Sequence, residues 1–179
     1  PTGALTIPAT VVNVGVTYSV TSISDNGFSN CPGLTSVDIP NTVTNIGINA
    51  FQFCAALTSI TLPNSITSIS NTLFYGCSSL TSLVIPNSVT TIGTAAFFGC
   101  SNLSSVTIPN SVTLIGFQSF VNCSSLTSLT IPNSVTTIEN QAFRYCTGLT
   151  SVTVHWTTPL LINADVFQNI NTTIIPLNV

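Results

Sequence analysis

Apolar and polar residues alternate along this chain in a pattern that returns every 23 residues. The segment Leu103–Ser125 holds one unit of the pattern, with the sequence LSSVTIPNSVTLIGFQSFVNCSS. Within it, Val106 and Ile108 lie two positions apart between polar neighbours. A period of two is typical of a β-strand that directs one set of side chains inward and the other outward. Each unit is therefore predicted to begin with a short strand.

The second half of the unit predicts a return to the same core. Pro109 ends the strand, because proline has no N–H group for a sheet and Pro-Asn-Ser is favourable in a turn. Val112 and Ile115 then direct their side chains inward from a second extended segment. Phe120 and Cys123 lie three positions apart, a spacing that places both on one face of a predicted short helical turn. One unit thus forms one closed coil.

Four residue types keep the 23-residue interval through most of the chain. A single coil cannot bury its apolar side chains, whereas a stack of similar coils buries all of them. We therefore expect the phenylalanines to stack in one column and the strands to form a parallel sheet. The repeated residues are Cys31, Cys54, Cys77, Cys100, Cys123 and Cys146; Phe28, Phe51, Phe74, Phe97, Phe120 and Phe143; Leu34, Leu57, Leu80, Leu103, Leu126 and Leu149; and Pro40, Pro63, Pro86, Pro109 and Pro132.

The repeat weakens at both ends, as capping units of a solenoid do. We predict one domain, 1–179, with an N-terminal capping coil at 1–33, regular repeats at 34–154 and a C-terminal cap at 155–179. In the cap the interval becomes 24, because Ile162 and Phe167 follow Ile138 and Phe143. In the first coil the proline and leucine of the repeat are missing, but four residues keep its register: Val14, Val16, Val20 and Ile23 align with Val37, Ile39, Val43 and Ile46.

Charged residues are scarce, which excludes several classes of partner. They make up 3% of the chain, against 44% apolar residues, and Arg144 is the single lysine or arginine. Binding to nucleic acid or to anionic lipid needs several basic side chains, so neither is expected. Ser, Thr, Asn or Pro interrupts every apolar run before it reaches the ~18 residues of a membrane span. We therefore predict no membrane insertion.

The consensus L-T-S-V-T-I-P-N-S-V-T-x-I-G-x-x-A-F-x-x-C resembles the BspA-like leucine-rich repeats, over roughly Val14 to Val154. The tail from His155 to Pro176 is similar to the cap that closes many such arrays in Bacteroidetes. The resemblance implies a leucine-rich-repeat solenoid of about six coils plus end caps, with a parallel β-sheet on one face and short helical turns opposite. It also implies a secreted or surface-anchored protein associated with adhesion to host proteins, cells or matrices.

The six cysteines allow more than one interpretation. An even number at regular spacing is compatible with a disulfide framework, and adjacent coils would bring Cα atoms within bridging range. Identical stacked positions, however, direct their Cα–Cβ bonds in parallel, a poor geometry for a bridge. The pattern favours a column of buried free thiols that pack as small apolar groups. Single cysteines 23 apart match no zinc spacing, so we predict no metal site.

The residues suited to catalysis are few, and we predict neither enzyme activity nor a cofactor. His155 is the only imidazole, and the abundant serines alone leave a Ser–His–Asp set conceivable but without support. We expect Asp25 to cap the helical turn before Phe28 and Glu139 to pair with Arg144 on the surface. The acidic residues lie on different coils: Asp25, Asp38, Glu139 and Asp165.

The outward positions of the strands are the candidate binding residues. They form two parallel rows of hydroxyl groups on one sheet face, although solubility alone would explain hydroxyls in a chain with so few charges. His155 and Trp156 are added because an exposed tryptophan is a common binding anchor, with packing of Trp156 in the cap as the alternative. The candidates are Ser59, Thr61, Ser82, Ser105, Thr107, Ser128, Thr130, Ser151, Thr153, His155 and Trp156.

Three functions are compatible with these features. The first is a non-enzymatic, extracellular or cell-surface module that adheres to a protein or cell-surface ligand through the Ser/Thr face. The second is head-to-tail self-association into a filament, because terminal strands expose edges and the tail Thr172–Ile175 carries no charge. The third is ice binding, although Asp38 and Val84 interrupt the hydroxyl rows.

Overall fold

The structure is a computed structural model that describes residues 1–156, 160–170 and the backbone of 177–178. The chain winds through stacked coils, most of which contribute a strand of three to five residues and a second strand of two. The strands are β1 (Gly3–Thr6), β2 (Thr10–Asn13), β3 (Val16–Ser19), β4 (Ser22–Ile23), β5 (Leu34–Asp38), β6 (Asn45–Ile46), β7 (Ser59–Thr61), β8 (Ser68–Ile69), β9 (Ser82–Val84), β10 (Thr91–Ile92), β11 (Ser105–Thr107), β12 (Leu114–Ile115), β13 (Ser128–Ile131), β14 (Thr137–Ile138), β15 (Ser151–Val154) and β16 (Leu177–Asn178).

The longer strands form the predicted parallel sheet. They pair in the orders β1-β5-β7, β9-β11 and β13-β15-β16, and equivalent residues of successive coils lie opposite each other. The two-residue strands form a second parallel strip along the stack, in the orders β4-β6 and β8-β10-β12-β14. Between the two strips lies the core of inward-facing Leu, Ile and Val side chains. The repeat solenoid is therefore confirmed.

The phenylalanines form the predicted column. Neighbouring ring centroids lie 4.9 to 5.9 Å apart, and the interplanar angles stay between 5° and 18°. Phe167 continues the column beyond Phe143 at 5.3 Å, which confirms the 24-residue interval in the C-terminal cap. The five rings from Phe51 to Phe143 are fully buried. Each coil thus covers the aromatic face of the coil before it.

The predicted helical turns are wrong: the described residues contain no helix. The phenylalanine segment is a series of tight turns in which Asn49 and Phe53 adopt left-handed backbone angles, φ 59° and 57°. These angles direct alternate N–H groups along the stack, so Phe51 donates to the carbonyl of Leu73 in the next coil. A helix would turn the same N–H groups back onto its own carbonyls. The turns instead extend the hydrogen-bond ladder around the coil.

Two electrostatic predictions also require correction. Asp25 does not cap a helix; its Oδ1 accepts a hydrogen bond from the backbone N–H of Ile48 in the next coil, at 2.8 Å. Glu139 forms no ion pair with Arg144 in the described structure, and its carboxylate accepts the N–H of Phe117 at 2.6 Å. The Arg144 guanidinium instead lies 4.7 Å from the centre of the Tyr145 ring. Each of the two carboxylates thus accepts a hydrogen bond from a backbone N–H group in a turn of a neighbouring coil.

The cysteines are free thiols, and five of them are fully buried. From Cys54 onward, each Sγ donates to the carbonyl of the phenylalanine 26 residues earlier, at 3.0 to 3.3 Å. Burial raises the pKa of Cys100 to about 12, although a backbone hydrogen bond opposes the rise. Burial raises the pKa of Cys77 further, with repulsion from the neighbouring thiols adding to it. The raised pKa values keep the Cys77 and Cys100 thiols in their protonated, donating form.

The first coil departs from the register predicted for it. Leu5, in β1, lies opposite Val37, and Ile7 donates its N–H to Asp38. Val14 and Val16, which were expected to hold those positions, instead belong to an exposed antiparallel hairpin of β2 and β3. The reason is an insertion: nine more residues separate Ile7 from Val20 than separate Ile39 from Val43. The predicted alignment of Ile23 with Ile46 is confirmed.

Candidate functional site

The candidate hydroxyl rows lie on the outer face of the parallel sheet, which we call the sheet face. The pleat directs Val106 inward and leaves Ser105 and Thr107 outward, and successive coils repeat this arrangement. Parallel neighbours in a sheet lie ~4.8 Å apart, so each row brings its hydroxyls close together. The candidates Ser59, Thr61, Ser82, Ser105, Thr107, Ser128 and Thr130 are exposed, and Ser151 and Thr153 are half-buried.

Two other hydroxyl rows are engaged in bonds between coils. In one row, four threonine Oγ atoms donate to the carbonyl of the same position in the preceding coil, at 3.2 to 3.4 Å. The second row does the same at 3.0 to 3.4 Å, just before the sheet strands. These hydroxyls help to fasten the coils together. The donors are Thr44, Thr90, Thr113 and Thr136 in the first row, and Thr58, Thr81, Ser104 and Thr150 in the second.

The sheet-face hydroxyls behave differently. Among the described residues, none of the candidate serines and threonines makes a side-chain hydrogen bond to another residue. The geometry explains the contrast, because an outward side chain on a paired strand stands away from the carbonyls of its own sheet. Each of these hydroxyls keeps one donor and two acceptor positions for water or a ligand. Among the described residues, this face therefore carries a regularly spaced set of hydroxyl groups that are free to bind water or a ligand.

A groove crosses the sheet face where the strand ladder opens between β7 and β9. These two strands are not paired in the described structure, and the last bond before the gap joins Thr81 N–H to Thr58 O at 3.4 Å. The groove has a volume of about 370 Å³. It has no charged side chain in its lining, and Val84, at its edge, is 80% exposed. The lining includes Ser59, Thr61, Asn64, Ser82, Val84 and Pro86.

The sequence predicted only part of this groove. Ser59, Thr61 and Ser82 were candidates, whereas Asn64 and Pro86 were assigned only to turns. The turn residues follow each strand directly, so they close the groove where the chain leaves the sheet. The sequence did indicate that this part of the face differs, because position 84 is a valine where most other coils have a threonine.

His155 and Trp156 lie at the end of β15, but the chain directs them to opposite sides. His155 is exposed, and its backbone N–H donates to Ile131 O at 3.1 Å. Trp156 is half-buried against the core, and its Nε1 donates to Val135 O at 3.0 Å. The indole therefore packs in the cap, in the manner that the alternative interpretation expected. Only the imidazole extends the sheet face.

An aromatic cluster outside the core escaped the sequence reasoning. Tyr75 stacks on Phe98 at 4.7 Å and meets the edge of Phe53 at 5.4 Å. The Phe53 ring lies over Gly76, where an added Cβ would come within 2.7 Å of it. The signal was present in the sequence as a second aromatic residue directly after Phe74 and after Phe97. Because the rings cover one another's faces, this cluster mainly packs the turn side.

Charge and metal-binding groups are sparse around the sheet face. Asp38 lies at its N-terminal end, exposed, and the strands from β7 to β15 present no charged side chain there. Within the part of the chain that the structure describes, His, Cys, Asp and Glu do not gather in groups of three that could hold a metal ion. No described helix is long and apolar enough to cross a membrane. The face is a neutral polar surface.

Comparison with known proteins gives a consistent family. The BspA type leucine-rich repeat region matches in six copies, over residues 10–126 and 67–178. A leucine-rich cell surface protein from Faecalibacterium prausnitzii is 33% identical, with a TM-score of 0.71 over 91% of this chain and 50% of its own. The pneumococcal vaccine antigen PcpA is 27% identical, with a TM-score of 0.72 over 86% of this chain and 40% of its own.

A leucine-rich repeat protein from T. pallidum is 29% identical, with a TM-score of 0.52 over 84% of this chain and 57% of its own. The chain thus spans about half the length of the solved proteins that it matches. Among curated protein sequences, none is similar enough to count as a match.

Proposed function

We propose that this chain, which belongs to the BspA-type leucine-rich repeat family, is a non-enzymatic adhesion or protein-interaction module. It acts outside the cell or at the cell surface. Two similar solved proteins support this: one is described as a cell surface protein and another as a vaccine antigen. The partner is a protein or another cell-surface ligand, bound through the sheet face.

The observation that carries the proposal is the contrast between the hydroxyl rows. Hydroxyls such as Thr113 are engaged between coils, whereas those at Ser105 and Thr107 keep their full hydrogen-bonding capacity. Serine and threonine are strong binding groups only when many act together, and the repeat multiplies them along a broad surface. The absence of charge from the strands favours neutral polar partners over nucleic acid, which one arginine could not hold.

The site residues we propose are the sheet-face candidates together with His155, with the β7–β9 groove at their centre. Trp156 packs against the core and donates its Nε1–H to Val135 O, so we leave its side chain out of the proposed binding surface. Catalysis is not part of the proposal. The sole imidazole, at His155, would have to find a nucleophile and a carboxylate among coils whose acids already bind backbone N–H groups, as Asp25 and Glu139 do.

A binding assay with matched variants tests the proposal. The chain is applied to immobilised matrix proteins and to intact cells, beside Ser105→Lys/Thr107→Lys on the sheet face. Asn102→Lys/Asn140→Lys carries the same added charge at exposed positions outside the sheet strands. We expect the face variant to lose at least about tenfold in affinity, since lysines would displace or block several contacts. Equal binding by both variants and the parent would remove the sheet face from the function.

The cell-surface location has its own test. Antibodies raised against this chain should label intact cells of the source organism, and brief protease treatment of those cells should remove the label. Labelling that appears only after the cells are broken open would contradict the proposed location, whatever the binding assay gave.

A further inference from the structure

The β7–β9 groove has an apolar side and a polar side. Val84 presents its isopropyl group to solvent where Thr61, Thr107 and Thr130 present hydroxyls in the same row. A single exposed valine is common on protein surfaces, but this one borders a cavity whose other exposed side chains are all polar. The groove therefore offers apolar contact and hydrogen bonds side by side.

The polar side contains groups that both donate and accept hydrogen bonds. The hydroxyls of Ser59 and Ser82 lie on the two strands that border the gap. The amide of Asn64 joins them at the turn. In the coil before, Asn41 Oδ1 accepts the backbone N–H of Asn64 at 2.8 Å, whereas the side chain of Asn64 has no partner among the described residues. An amide and two hydroxyls thus remain free at the edge of one cavity.

The backbone adds another open donor. In the first two coils, the N–H groups of Ile7 and Ile39 donate to the carbonyls of Asp38 and Thr61, at 3.0 and 3.3 Å. One coil later, the N–H of Leu62 has no acceptor among the described residues. Leu62 lines the groove, so the gap in the strand ladder leaves this donor beside the cavity.

The charges around the groove favour a neutral ligand. Asp38 lies opposite Thr61 across β5 and β7, and its exposed carboxylate repels an anion that enters the groove. The one basic side chain, Arg144, is engaged in another coil, where it donates to Gln141 and Tyr145. The lining itself holds no carboxylate that could pair with a cation. An uncharged ligand rich in hydrogen-bonding groups fits this environment best.

We propose that the groove binds a neutral saccharide unit of a glycan, an inference that rests on the proposed adhesion function and names the ligand class of its central site. A pyranose ring carries hydroxyls that donate and accept around its rim and C–H groups on its faces. Its hydroxyls are bound by Ser59, Ser82 and Asn64. One C–H face packs against Val84. The ligand thus matches both sides of the groove.

An extended peptide fits the groove less well. Peptides that add to a sheet pair with the edge of an unpartnered strand. Here β7 is already paired with β5 and β9 with β11, and the gap between β7 and β9 is closed at one end by the bond from Thr81 N–H to Thr58 O. A compact ligand avoids this obstacle. The cavity of about 370 Å³ is within the range of small-ligand sites, roughly 300–1,000 Å³.

Saturation-transfer NMR on the whole chain tests the ligand class with defined probes. The neutral probes are lactose, cellobiose, mannobiose and N,N′-diacetylchitobiose, which differ in stereochemistry and substituents, and digalacturonate is the anionic probe. We expect transfer to at least one neutral disaccharide and none to digalacturonate, because Asp38 repels it. Absence of transfer to all four neutral probes would overturn the proposal, as would transfer to digalacturonate alone.

Matched variants test the location. Asn64→Ala/Ser82→Ala removes an amide and a hydroxyl from exposed positions of the groove, and we expect it to weaken disaccharide binding about tenfold. Asn102→Ala/Thr147→Ala removes the same two groups from exposed positions outside the sheet strands and should bind like the parent. Equal binding by the two variants would place the saccharide elsewhere and overturn the proposal.

A third variant tests the apolar contact. Val84→Thr exchanges one methyl group for a hydroxyl at an exposed position and gives this coil the residue that most others have. We expect binding to weaken about fourfold, because one methyl contact with the sugar ring is lost. Equal or tighter binding would show that the C–H face does not lie on Val84, and the proposed mode of binding would be wrong.

Periodate treatment separates this inference from the proposed function. Periodate cleaves the vicinal diols of glycans and leaves peptide bonds intact, so adhesion to treated matrix proteins and cells should be largely lost. Adhesion that survives the treatment would overturn the saccharide site and favour a protein contact, while the adhesion function would stand. A chain that binds a disaccharide but adheres to no untreated matrix protein or cell would support the saccharide site and contradict the adhesion function.

Discussion

Away from the sheet face, thiols, threonine hydroxyls and backbone N–H groups donate to the adjacent coil. On the sheet face, the serine and threonine hydroxyls make no such bond among the described residues. Thr113 and Thr107 illustrate the difference, because both are exposed threonines that recur at the 23-residue interval. Only Thr113 donates to a neighbouring coil, at 3.3 Å.

The comparison teaches that the place of a side chain in the coil decides its role. A hydroxyl beside the carbonyl of the preceding coil becomes part of the stack. A hydroxyl on the outer pleat of a strand is left for solvent or a partner. The fold and the binding surface can therefore be changed separately, and four predictions make use of this separation.

The largest effect should come from the centre of the aromatic column. Phe97→Ala removes a fully buried ring that stacks on Phe74 and Phe120, and we expect a loss of about 3–5 kcal/mol in the free energy of unfolding. Thr107→Ala on the sheet face should change it by less than about 0.5 kcal/mol. Urea unfolding followed by circular dichroism measures both. Similar losses in the two variants would contradict the division between stack and face.

Alkaline pH should weaken the stack through the thiol column. Burial raises the pKa of Cys54, Cys77, Cys100 and Cys123 above the ordinary value of 9.0. Below that value these thiols are protonated in both the folded and the unfolded state, so they give the free energy of unfolding no pH dependence. Above it the unfolded chain ionises first, so stability falls by about 1.4 kcal/mol per pH unit for each such thiol.

Urea unfolding between pH 8 and pH 11, in the presence of a phosphine reductant, measures this slope. Cys100→Ala should unfold more readily at every pH but should show a smaller slope, because one ionising group is gone. A slope that is the same in Cys100→Ala and the parent would show that the buried thiols do not cause the decline.

Thiol reactivity should separate the end of the column from its interior. Cys31 is half-buried in the first coil, whereas the five other thiols are fully buried and donate to carbonyls. With an aromatic disulfide reagent at pH 8, we expect one thiol to react quickly in the native protein and five only on unfolding. Mass spectrometry identifies the labelled residue. Rapid labelling of Cys77 or Cys100 would contradict the closed column.

The smallest predicted effect is on the threonine rows. Thr113→Val removes one hydroxyl that donates between coils, and we expect a loss of about 0.5–1.5 kcal/mol. Thr130→Val, on the sheet face, should be close to neutral because its hydroxyl has no partner among the described residues and valine favours a strand. Thermal unfolding of the two variants compares them directly. A larger loss in Thr130→Val would reverse the assignment of the rows.

The sequence predicted the sheet, the columns and the free thiols because each depends on one interval that the chain keeps. It could not predict the turns. The spacing of Phe120 and Cys123 suits a helical turn and a pair of tight turns equally, and the choice depends on backbone angles such as the φ of 56° at Gln118. Left-handed positions occupied by Gln, Thr or Phe give no clear sequence signal.

The error in the first coil was avoidable. Leu5, Thr6, Ile7 and Pro8 repeat the strand ending at Leu129–Pro132, but the nine-residue insertion that follows breaks the interval. The regular spacing of the valines in the β2–β3 hairpin then gave a false alignment. The distinction between the hydroxyl rows was beyond the sequence, because it depends on which hydroxyls lie beside a carbonyl of the preceding coil.

The central claim is that the hydroxyls that donate between coils stabilise the fold, whereas those on the sheet face bind the partner. A comparison of two double variants, each measured for both properties, tests it most directly. Thr113→Val/Thr136→Val and Thr107→Val/Thr130→Val are each measured for unfolding free energy and for binding to the same immobilised ligand or cells. We predict that the first pair loses stability and keeps binding, while the second keeps stability and loses binding. If both pairs lose the same property, the two rows do not differ in role and the account is wrong.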